Sequence, residues 1–308
     1  MFHIPKIDAR NFLSSLDLTK DEILHILELS KNLKRNDIQI NLKNKVLGLI
    51  FDKASTRTRV SFHVAMTRLG GSTIDLNPIT TQIGRGEPIK DTARVLSRYC
   101  DALAIRTFKQ SNIEEYASWS TKPVINALTD LEHPCQALAD YLTIQETFGN
   151  FKNLILTFVG DGNNVANSLI LTGALLGIEV RIASPKGYEP NPLIVKKATQ
   201  ICNNKNLIKI TNDLNAAVKG ANVLYTDVWS SMGEESQKDS KDIAFKGFTI
   251  DKNLINKANP NAIVLHCLPA YRGKEITDEV IDSDNSRKFE QAENRLHVQQ
   301  AILACLLS

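Results

Sequence analysis

Residues 51–62 read FDKASTRTRVSF, and this stretch decides the fold that the sequence predicts around it. The apolar run Val46–Phe51 predicts a buried strand, and the segment after the stretch has helical spacing. The stretch is therefore a strand-to-helix turn. It combines hydroxyls, the N–H groups of a first helical turn and guanidinium forks, which together suit a phosphate group. The side chains concerned are Ser55, Thr56, Arg57, Thr58 and Arg59. A simple helix cap beside two surface arginines is the alternative that these local features leave open.

The length of 308 residues exceeds the usual size of a single core, which predicts two domains. The hydrophobic fraction of 43% and the charged fraction of 23% are typical of a soluble globular protein. The 37 basic residues nearly balance the 34 acidic ones, and the formal net charge is +3 with no basic tract. The charge therefore gives no reason to expect nucleic acid or a membrane as a partner.

The five cysteines are scattered without a C-x-x-C pair, and the six histidines contain no H-E-x-x-H pair. We therefore expect no disulfide framework, no metal site and no cofactor. The first ten residues lack the pattern of a cleaved leader, and no run of about 18 apolar residues occurs in the chain. The expected location is the cytoplasm.

Apolar runs and helical segments alternate along the chain, which predicts α/β architecture with parallel sheets. Gly149 and Asn150 mark a candidate boundary. We therefore expect two doubly wound domains, each with a central parallel sheet, joined by helices. Their predicted ranges are 1–148 and 149–287.

Two charged residues stand at the carboxyl ends of predicted strands. Arg106 ends the strand at 102–106, and Asp227 ends the strand at 223–227. Ligands of open α/β sheets bind at this edge, so Arg106 is a candidate for holding phosphate or a developing oxyanion. Asp227 is a candidate partner for an ammonium group. A solvated arginine and a turn residue are the alternatives.

A long helix is predicted to open at residues 131–140 and to reach about residue 148, and it carries His133 and Gln136 near its start. These two side chains are three residues apart and can share one face. His133 can donate to a carbonyl oxygen, and Gln136 can accept from an NH₂ group. A capping or surface histidine is the alternative, and Cys135 is interpreted as a packing residue.

The turn Gly160–Val165 has a superficial likeness to a dinucleotide-binding fingerprint, but Val165 occupies the third glycine position. The next strand, 179–183, is followed by Ser184 and offers no acidic partner for a ribose. A nicotinamide cofactor is therefore disfavoured. Turn formation alone accounts for Asn163.

The last predicted strand, 262–265, runs into His266-Cys267-Leu268-Pro269. Because a residue before proline is pushed out of α geometry, we expect Leu268 to be extended and to present its carbonyl to a ligand. Cys267 is either a small core residue or a group that contacts an attacking amine.

Four motifs in this order resemble those of the aspartate and ornithine transcarbamoylases: S-T-R-T-R at 55–59, Arg106, H-P-C-Q at 133–136 and H-C-L-P at 266–269. The polar loop at 77–88 resembles the swinging loop of that family, which reaches a neighbouring subunit's site. Its Gln82 stands where the aspartate enzymes carry a lysine. The stretch DVWSSMG at 227–233 resembles the loop with which the ornithine enzymes grip their amino acid.

The resemblance implies transfer of the carbamoyl group of carbamoyl phosphate to the δ-amine of ornithine, giving citrulline and phosphate, in arginine biosynthesis or arginine catabolism. It implies catalytic roles for Arg57, Arg106, His133 and Cys267. The implied ligands of carbamoyl phosphate are Ser55, Thr56, Arg57, Thr58, Gln82, Arg106, His133, Gln136, Cys267, Leu268 and Arg295. The implied ligands of ornithine are Asn164, Asp227, Ser231 and Met232, and no metal is required.

The resemblance also implies that domain 1–148 binds carbamoyl phosphate and is completed by a C-terminal helix at 288–308, while 149–287 binds ornithine. It further implies a homo-oligomer, a trimer or a multiple of trimers. Two alternatives stay open: a transcarbamoylase for another amine, such as putrescine, N-acetylornithine or aspartate, and a non-catalytic regulatory member of the family. Gln82 and the 227–233 stretch argue against the first, and the intact candidate catalytic residues argue against the second.

Overall fold

The computed structural model describes residues 7, 10–77, 81–202, 204–230 and 238–308. The chain divides into two compact units. Unit 1 comprises Met1–Leu142 and Glu293–Ser308, and unit 2 comprises Thr143–Ala292.

Unit 1 is built on a four-stranded sheet with the strand order β2-β1-β3-β4, in which every pair is parallel. The strands are β1 Val46–Phe51, β2 Ser72–Leu76, β3 Ala102–Arg106 and β4 Val124–Leu128. The helices are α1 Lys20–Lys34, α2 Thr56–Arg68, α3 Ile89–Tyr99, α4 Gln110–Trp119 and α5 Pro134–Phe148, the last of which continues into unit 2. Short 3₁₀ helices cover Ser15–Asp17 and Gln82–Arg85.

Unit 2 is built on a five-stranded parallel sheet with the strand order β7-β6-β5-β8-β9. The strands are β5 Ile155–Val159, β6 Glu179–Ala183, β7 Ile208–Thr211, β8 Val223–Thr226 and β9 Ile263–His266. The helices are α6 Asn164–Leu176, α7 Pro192–Ile201, α8 Leu214–Val218, α9 Lys238–Ala244, α10 Lys252–Ile255 and α11 Asp278–Ile281. A 3₁₀ helix covers Lys205–Leu207, and α12 Lys288–Leu307 leads back into unit 1.

The inner strands of both sheets are buried because they are apolar on both faces, whereas the edge strand β2 is largely exposed. In unit 1 the central strands pack against α3 and α4 through a cluster that includes Ile50, Leu103, Ile105 and Ile113. Continuous apolar runs of this kind are what a parallel sheet covered by helices requires. The expectation of two α/β domains with parallel sheets is confirmed.

The strand-turn-helix predicted around residues 51–62 is present. β1 ends at Phe51, Ser55 is the N-cap of α2, and α2 begins at Thr56. The sheet positions this turn because Phe51 is paired with Arg106 at the end of β3.

Each sheet has one place where the direction of strand addition reverses. In unit 1 it lies between β1 and β3, and in unit 2 between β5 and β8. Loops that leave the carboxyl ends of the two flanking strands diverge at such a point, and ligands of open α/β sheets bind there. The four segments that leave these strand ends carry most of the candidate residues. Among the described helices, none is both long and apolar enough to cross a membrane.

Candidate active site

The N-terminal turn of α2 is contacted by two buried guanidinium groups. Arg106, the last residue of β3, donates through Nη1 to Ser55 Oγ at 3.3 Å. Arg295 on α12 donates through Nη2 to Thr58 Oγ1. The Ser55 side chain makes no capping hydrogen bond within the described chain. The turn thus combines helix-terminal N–H groups with two cations, an arrangement that attracts a phosphate dianion.

The remaining predicted residues of this turn differ in exposure. Thr56 and Arg57 lie exposed on the first turn of α2, whereas Thr58 is only 1% exposed. Gln82 is exposed on its 3₁₀ helix. Four of the predicted phosphate ligands are therefore joined in pairs by hydrogen bonds, namely Ser55 with Arg106 and Thr58 with Arg295.

His133 stands immediately before α5 and is buried beside the same two cations. Burial, and then the charges of Arg295 and Arg106, hold the pKa of its imidazole well below the ordinary value of 6.5. The ring is therefore neutral at neutral pH, because each of these influences disfavours a further positive charge. A neutral imidazole that carries one N–H can donate a hydrogen bond to a carbonyl oxygen.

Gln136 follows His133 on the first turn of α5, and its backbone N–H donates to the His133 carbonyl at 3.0 Å. Its side chain is 1% exposed, and Nε2 donates to Asp140 Oδ1 at 2.7 Å. The other end of the amide, Oε1, is buried and accepts no hydrogen bond from the described chain. That oxygen is available to a ligand that carries N–H groups.

In unit 2, Asp227 lies directly after β8 and is surrounded by donors. Its Oδ2 accepts from Asn163 Nδ2 at 2.9 Å, and its Oδ1 accepts from the Val228 N–H at 2.8 Å and from Cys267 Sγ at 3.2 Å. This site therefore brings together one acid, one amide and one thiol at the ends of β5, β8 and β9.

Asn163 and Asn164 occupy the turn that leads from β5 into α6. The turn role expected of Asn163 is confirmed, because it is the N-cap of α6 and its Oδ1 accepts from the N–H groups of Val165 and Ala166. Its contact with Asp227 is an additional role that the sequence did not reveal. Asn164 is the first residue of α6 and is partly exposed.

The same turn is held by an ion pair and a close backbone approach. Lys241 on α9 is 3% exposed at its side chain and pairs with Asp161 Oδ2 at 2.7 Å. A Cβ atom at Gly162 would lie 2.2 Å from the backbone N of Pro190, so glycine alone fits there.

The segment after β9 is shaped by a buried histidine–glutamate pair. His266 Nδ1 accepts from the Leu268 N–H at 2.9 Å, and His266 Nε2 lies 3.1 Å from Glu275 Oε1. Glu275 Oε1 also accepts from the Tyr271 N–H at 2.5 Å. Because Nδ1 accepts, the proton of the ring is on Nε2, where it is donated to Glu275.

The expectation that Leu268 is extended is wrong. Its φ is +58°, in the left-handed region, and the Leu268–Pro269 peptide bond is cis. The hydrogen bond from the Leu268 N–H back to the His266 ring, two residues earlier, closes a tight turn instead of an extended segment.

Asp227, His266 and Cys267 bring one carboxylate oxygen, one imidazole nitrogen and one sulfur within 4.8 Å of one another. A metal ion would need a ring nitrogen of His266 with a free lone pair. Nδ1 is already bonded to the Leu268 N–H, and Nε2 carries the proton donated to Glu275. The arrangement of donors therefore suits an organic ligand with N–H groups better than a metal ion.

Three residues with clear contacts were missed in the sequence, namely Asp140 in unit 1 and Lys241 and Glu275 in unit 2. Asp140 could have been found, since it lies four residues after Gln136 on one helix. Lys241 carries no local signal because its partner Asp161 lies 80 residues earlier in the chain, and Glu275 follows His266 with no periodic relation to it. The predicted ornithine ligands Ser231 and Met232 lie outside the described residues.

Comparison with known proteins assigns both halves of the chain. The model of the aspartate/ornithine carbamoyltransferase carbamoyl-P binding domain matches residues 10–146, and that of the Asp/Orn binding domain of the same family matches residues 152–306. An ornithine carbamoyltransferase of Prochlorococcus marinus subsp. pastoris is 73% identical over 302 residues, 98% of each chain. An ornithine carbamoyltransferase of Nostoc sp. is 59% identical over 299 residues, 97% of each chain.

Solved structures give the same result. The ornithine carbamoyltransferase from Pyrococcus furiosus is 47% identical, with a TM-score of 0.94 and 99% of each chain covered. The anabolic ornithine carbamoyltransferase from Campylobacter jejuni is 43% identical, with a TM-score of 0.90, over 97% of this chain and 98% of the other. The chain therefore belongs to the aspartate/ornithine carbamoyltransferase family.

Proposed function

We propose that this chain transfers the carbamoyl group of carbamoyl phosphate to the δ-amine of ornithine and releases citrulline and phosphate. The relatives at 73% and 59% identity are named ornithine carbamoyltransferase, and each is matched over nearly its whole length. The observation that carries the proposal is the pair of buried guanidinium groups on the N-terminal turn of α2, because it provides a site for the phosphate of the donor substrate.

Unit 1 would hold carbamoyl phosphate, in keeping with the domain that we assign to residues 1–148 and its C-terminal helix. The phosphate would be bound by the first turn of α2 with Arg106 and Arg295. The proposed protein ligands are Ser55, Thr56, Arg57, Thr58, Arg106 and Arg295, with Gln82 supplied by a neighbouring subunit. Fixed cations and N–H groups are suited to this task because they stabilise the charge that grows on the departing phosphate.

The carbamoyl group would be recognised through its two polar ends. Neutral His133, Arg106 and Thr58 would donate to the carbonyl oxygen, while Gln136 would accept from the NH₂ group. The roles predicted for Cys267 and Leu268 as further ligands of this NH₂ group belong to the same proposal. A neutral donor at His133 is consistent with the lowered pKa of its ring.

Ornithine would be held by unit 2, the domain that we assign to residues 149–287. Asp227 would pair with the ammonium group, and Asn164, Ser231 and Met232 would bind the remaining polar groups. The cluster of Asp227 with Asn163 and Cys267 supports this role, because it already presents a carboxylate at a strand end where ligands bind.

The reaction needs positioning and charge stabilisation. The lone pair of the neutral δ-amine attacks the carbamoyl carbon and forms the new C–N bond. The C–O bond to phosphate breaks and its electron pair leaves with the phosphate, which takes up the one proton that the attacking nitrogen loses. The donors aimed at the carbonyl oxygen stabilise the negative charge that it carries between these steps.

The active assembly would be a trimer or a multiple of trimers. β2 is the edge strand of the unit 1 sheet, and Ile74 on β2 and Val60 on α2 are about half exposed. An ion pair of 3.4 Å between Arg59 and Asp75 joins these two elements. Exposed apolar side chains beside a sheet edge are normally covered, and a second copy of the chain would cover them here. Sedimentation over a range of concentrations tests this, and a fully active monomer would contradict a shared site.

The cellular setting would be arginine biosynthesis in the cytoplasm. The structural neighbour from Campylobacter jejuni is titled anabolic. None of the five cysteines, all of which lie among the described residues, forms a disulfide, which is typical of a reducing compartment.

The decisive experiment is a colorimetric assay that detects citrulline and the corresponding carbamoylated products. It uses carbamoyl phosphate and four amines, namely ornithine, putrescine, N-acetylornithine and aspartate. Activity with ornithine alone supports the proposal. Activity with another amine would support the assigned carbamoyl-phosphate site and overturn the assignment of residues 227–233 to ornithine. The absence of activity with all four amines would favour a regulatory member of the family.

A further inference from the structure

Asp140 is a fully buried carboxyl group that the proposed reaction does not use. It lies on α5 one turn after Gln136, so both side chains emerge from the same face of the helix. Asp140 is 0% exposed and Gln136 is 1% exposed. The bond between them, from Gln136 Nε2 to Asp140 Oδ1, is 2.7 Å long. This length lies at the short end of the range for N–H···O hydrogen bonds.

The bond decides which way the amide of Gln136 faces. The two ends of a glutamine amide have nearly the same shape, so packing alone does not distinguish them. A carboxylate can only accept hydrogen bonds, and the end that faces Asp140 must therefore be NH₂. The opposite end is then Oε1, which is buried and accepts no hydrogen bond from the described chain.

We propose that Asp140 is a positioning residue that locks Gln136 with its carbonyl oxygen toward the substrate, so that the site selects a carbamoyl group over an acyl group of the same shape. This inference rests on the proposed function. An NH₂ group of the substrate satisfies Oε1, whereas a methyl group in its place leaves Oε1 buried without a donor. A site built to form a hydrogen bond rejects the analogue that lacks it.

Acetyl phosphate is the matched probe, because it keeps the phosphate and the carbonyl oxygen and replaces NH₂ by CH₃. The quantity to measure is the ratio of the two dissociation constants, acetyl phosphate over carbamoyl phosphate, by calorimetry on the intact protein. Inorganic phosphate reports on the phosphate half alone. For the wild type we expect carbamoyl phosphate to bind at least tenfold more tightly than acetyl phosphate.

Asp140→Asn is the informative variant. It keeps the size of the side chain but adds an NH₂ group that can donate to Gln136 Oε1, so both orientations of the Gln136 amide become available. We expect the ratio to fall by about tenfold through weaker binding of carbamoyl phosphate, with the affinity for inorganic phosphate unchanged. If Asp140 only supported the fold, the substitution would instead weaken the binding of all three ligands together.

Two further variants separate positioning from packing. In a Gln136→Ala background, Asp140→Asn should leave the ratio unchanged, because the amide through which it acts is absent. Asp101→Asn is the matched control. Asp101 lies before the amino end of β3, away from the carboxyl ends of the strands, and accepts from the Val46 N–H at 3.0 Å. This substitution should leave the ratio at the wild-type value.

Each outcome has one meaning. A wild-type ratio in Asp140→Asn overturns the positioning role while carbamoyl phosphate still binds. Failure of the wild type to bind carbamoyl phosphate overturns the proposed function itself. Should Asp140→Asn not fold, Asp140→Ala carries the same test, because it removes the acceptor that fixes the Gln136 amide, and an unchanged ratio there overturns the inference equally.

Discussion

Arg295 on α12 and Thr58 on α2 are joined by a hydrogen bond although 237 residues separate them in the chain. Both side chains are buried within unit 1. The bond ties the C-terminal helix to the turn that opens the candidate phosphate site. The C-terminal helix is therefore bonded directly to the first strand-to-helix turn of the chain.

Replacing Thr58 by valine tests this link. The substitution keeps the shape of the side chain but leaves a buried guanidinium N–H without its acceptor. We expect the free energy of unfolding to fall by about 1–3 kcal/mol. The KM for carbamoyl phosphate should rise about tenfold, measured by urea unfolding and steady-state kinetics. Thr58→Ser keeps the hydroxyl and should behave almost as the wild type, whereas a valine variant with wild-type stability and KM would contradict the link.

Arg57→Ala should separate activity from stability. Arg57 is exposed on the first turn of α2, so its removal should change the free energy of unfolding by no more than about 0.5 kcal/mol. Activity should be almost completely lost, because a guanidinium fork at a helix N-terminus is assigned to the phosphate. Arg68→Ala, at the other end of the same helix, is the control and should remain active. Unchanged turnover in Arg57→Ala would refute the phosphate role.

The strands, the helix start and the strand-end residues around the candidate site could be predicted from the sequence, because they depend on neighbouring residues. The apolar run at β1, the N-cap at Ser55 and the start of α2 all follow from neighbouring residues. The same holds for Arg106 at the end of β3 and for Asp227 after β8. Such features depend on strand burial and helix capping, which act over a few residues.

What the sequence pattern did not contain was long-range pairing. The order β2-β1-β3-β4 and the order β7-β6-β5-β8-β9 arise from contacts between distant segments. The Lys241–Asp161 pair spans 80 residues, and its members have no periodic relation. The conformation of Leu268 was mispredicted for a related reason, since the bond to His266 outweighs the local preference of a residue before proline.

The stability of the protein should depend on the protonation of His133. The folded pKa of this ring lies below the unfolded value of about 6.5, so the unfolded chain binds more protons between these two values. The free energy of unfolding should therefore rise with pH across that window and stay level above it. The stabilisation that the neutral ring contributes is lost as the pH falls below about 6.5. Urea unfolding at a series of pH values measures this slope.

His133→Gln isolates the contribution of the ring. The variant should show a smaller slope below pH 6.5 than the wild type. Some slope of the same sign should remain, because burial also lowers the pKa of His297. Identical profiles for the two proteins would exclude a buried neutral His133.

The rate of carbamoyl transfer should rise with pH. The attacking amine resembles a lysine amine, with a pKa of roughly 10.4, and only its neutral form has a lone pair for attack. At fixed total ornithine, kcat/KM should therefore increase about tenfold for each unit of pH below the amine's pKa. A rate that is flat from mildly acid to alkaline pH would count against direct attack by the amine.

Glu275 should support the turn after β9. Its Oε1 accepts from His266 Nε2 and from the Tyr271 N–H, and the Leu268 N–H is held by the other nitrogen of the same ring. Glu275→Leu would leave one buried and one part-buried donor without an acceptor and would free the imidazole to rotate. We expect a loss of about 2–5 kcal/mol in the free energy of unfolding. Turnover should fall as well, because Leu268 and Cys267 would no longer be held in one conformation.

Glu275→Gln is the matched control for that experiment. Its side-chain oxygen can still accept from His266 and the Tyr271 N–H, so most of the stability and turnover should return. Equal losses in the leucine and glutamine variants would mean that the charge of Glu275 matters more than its hydrogen bonds. A leucine variant as stable as the wild type would show instead that the turn at Leu268 is held by its packing, with no need for the histidine–glutamate pair.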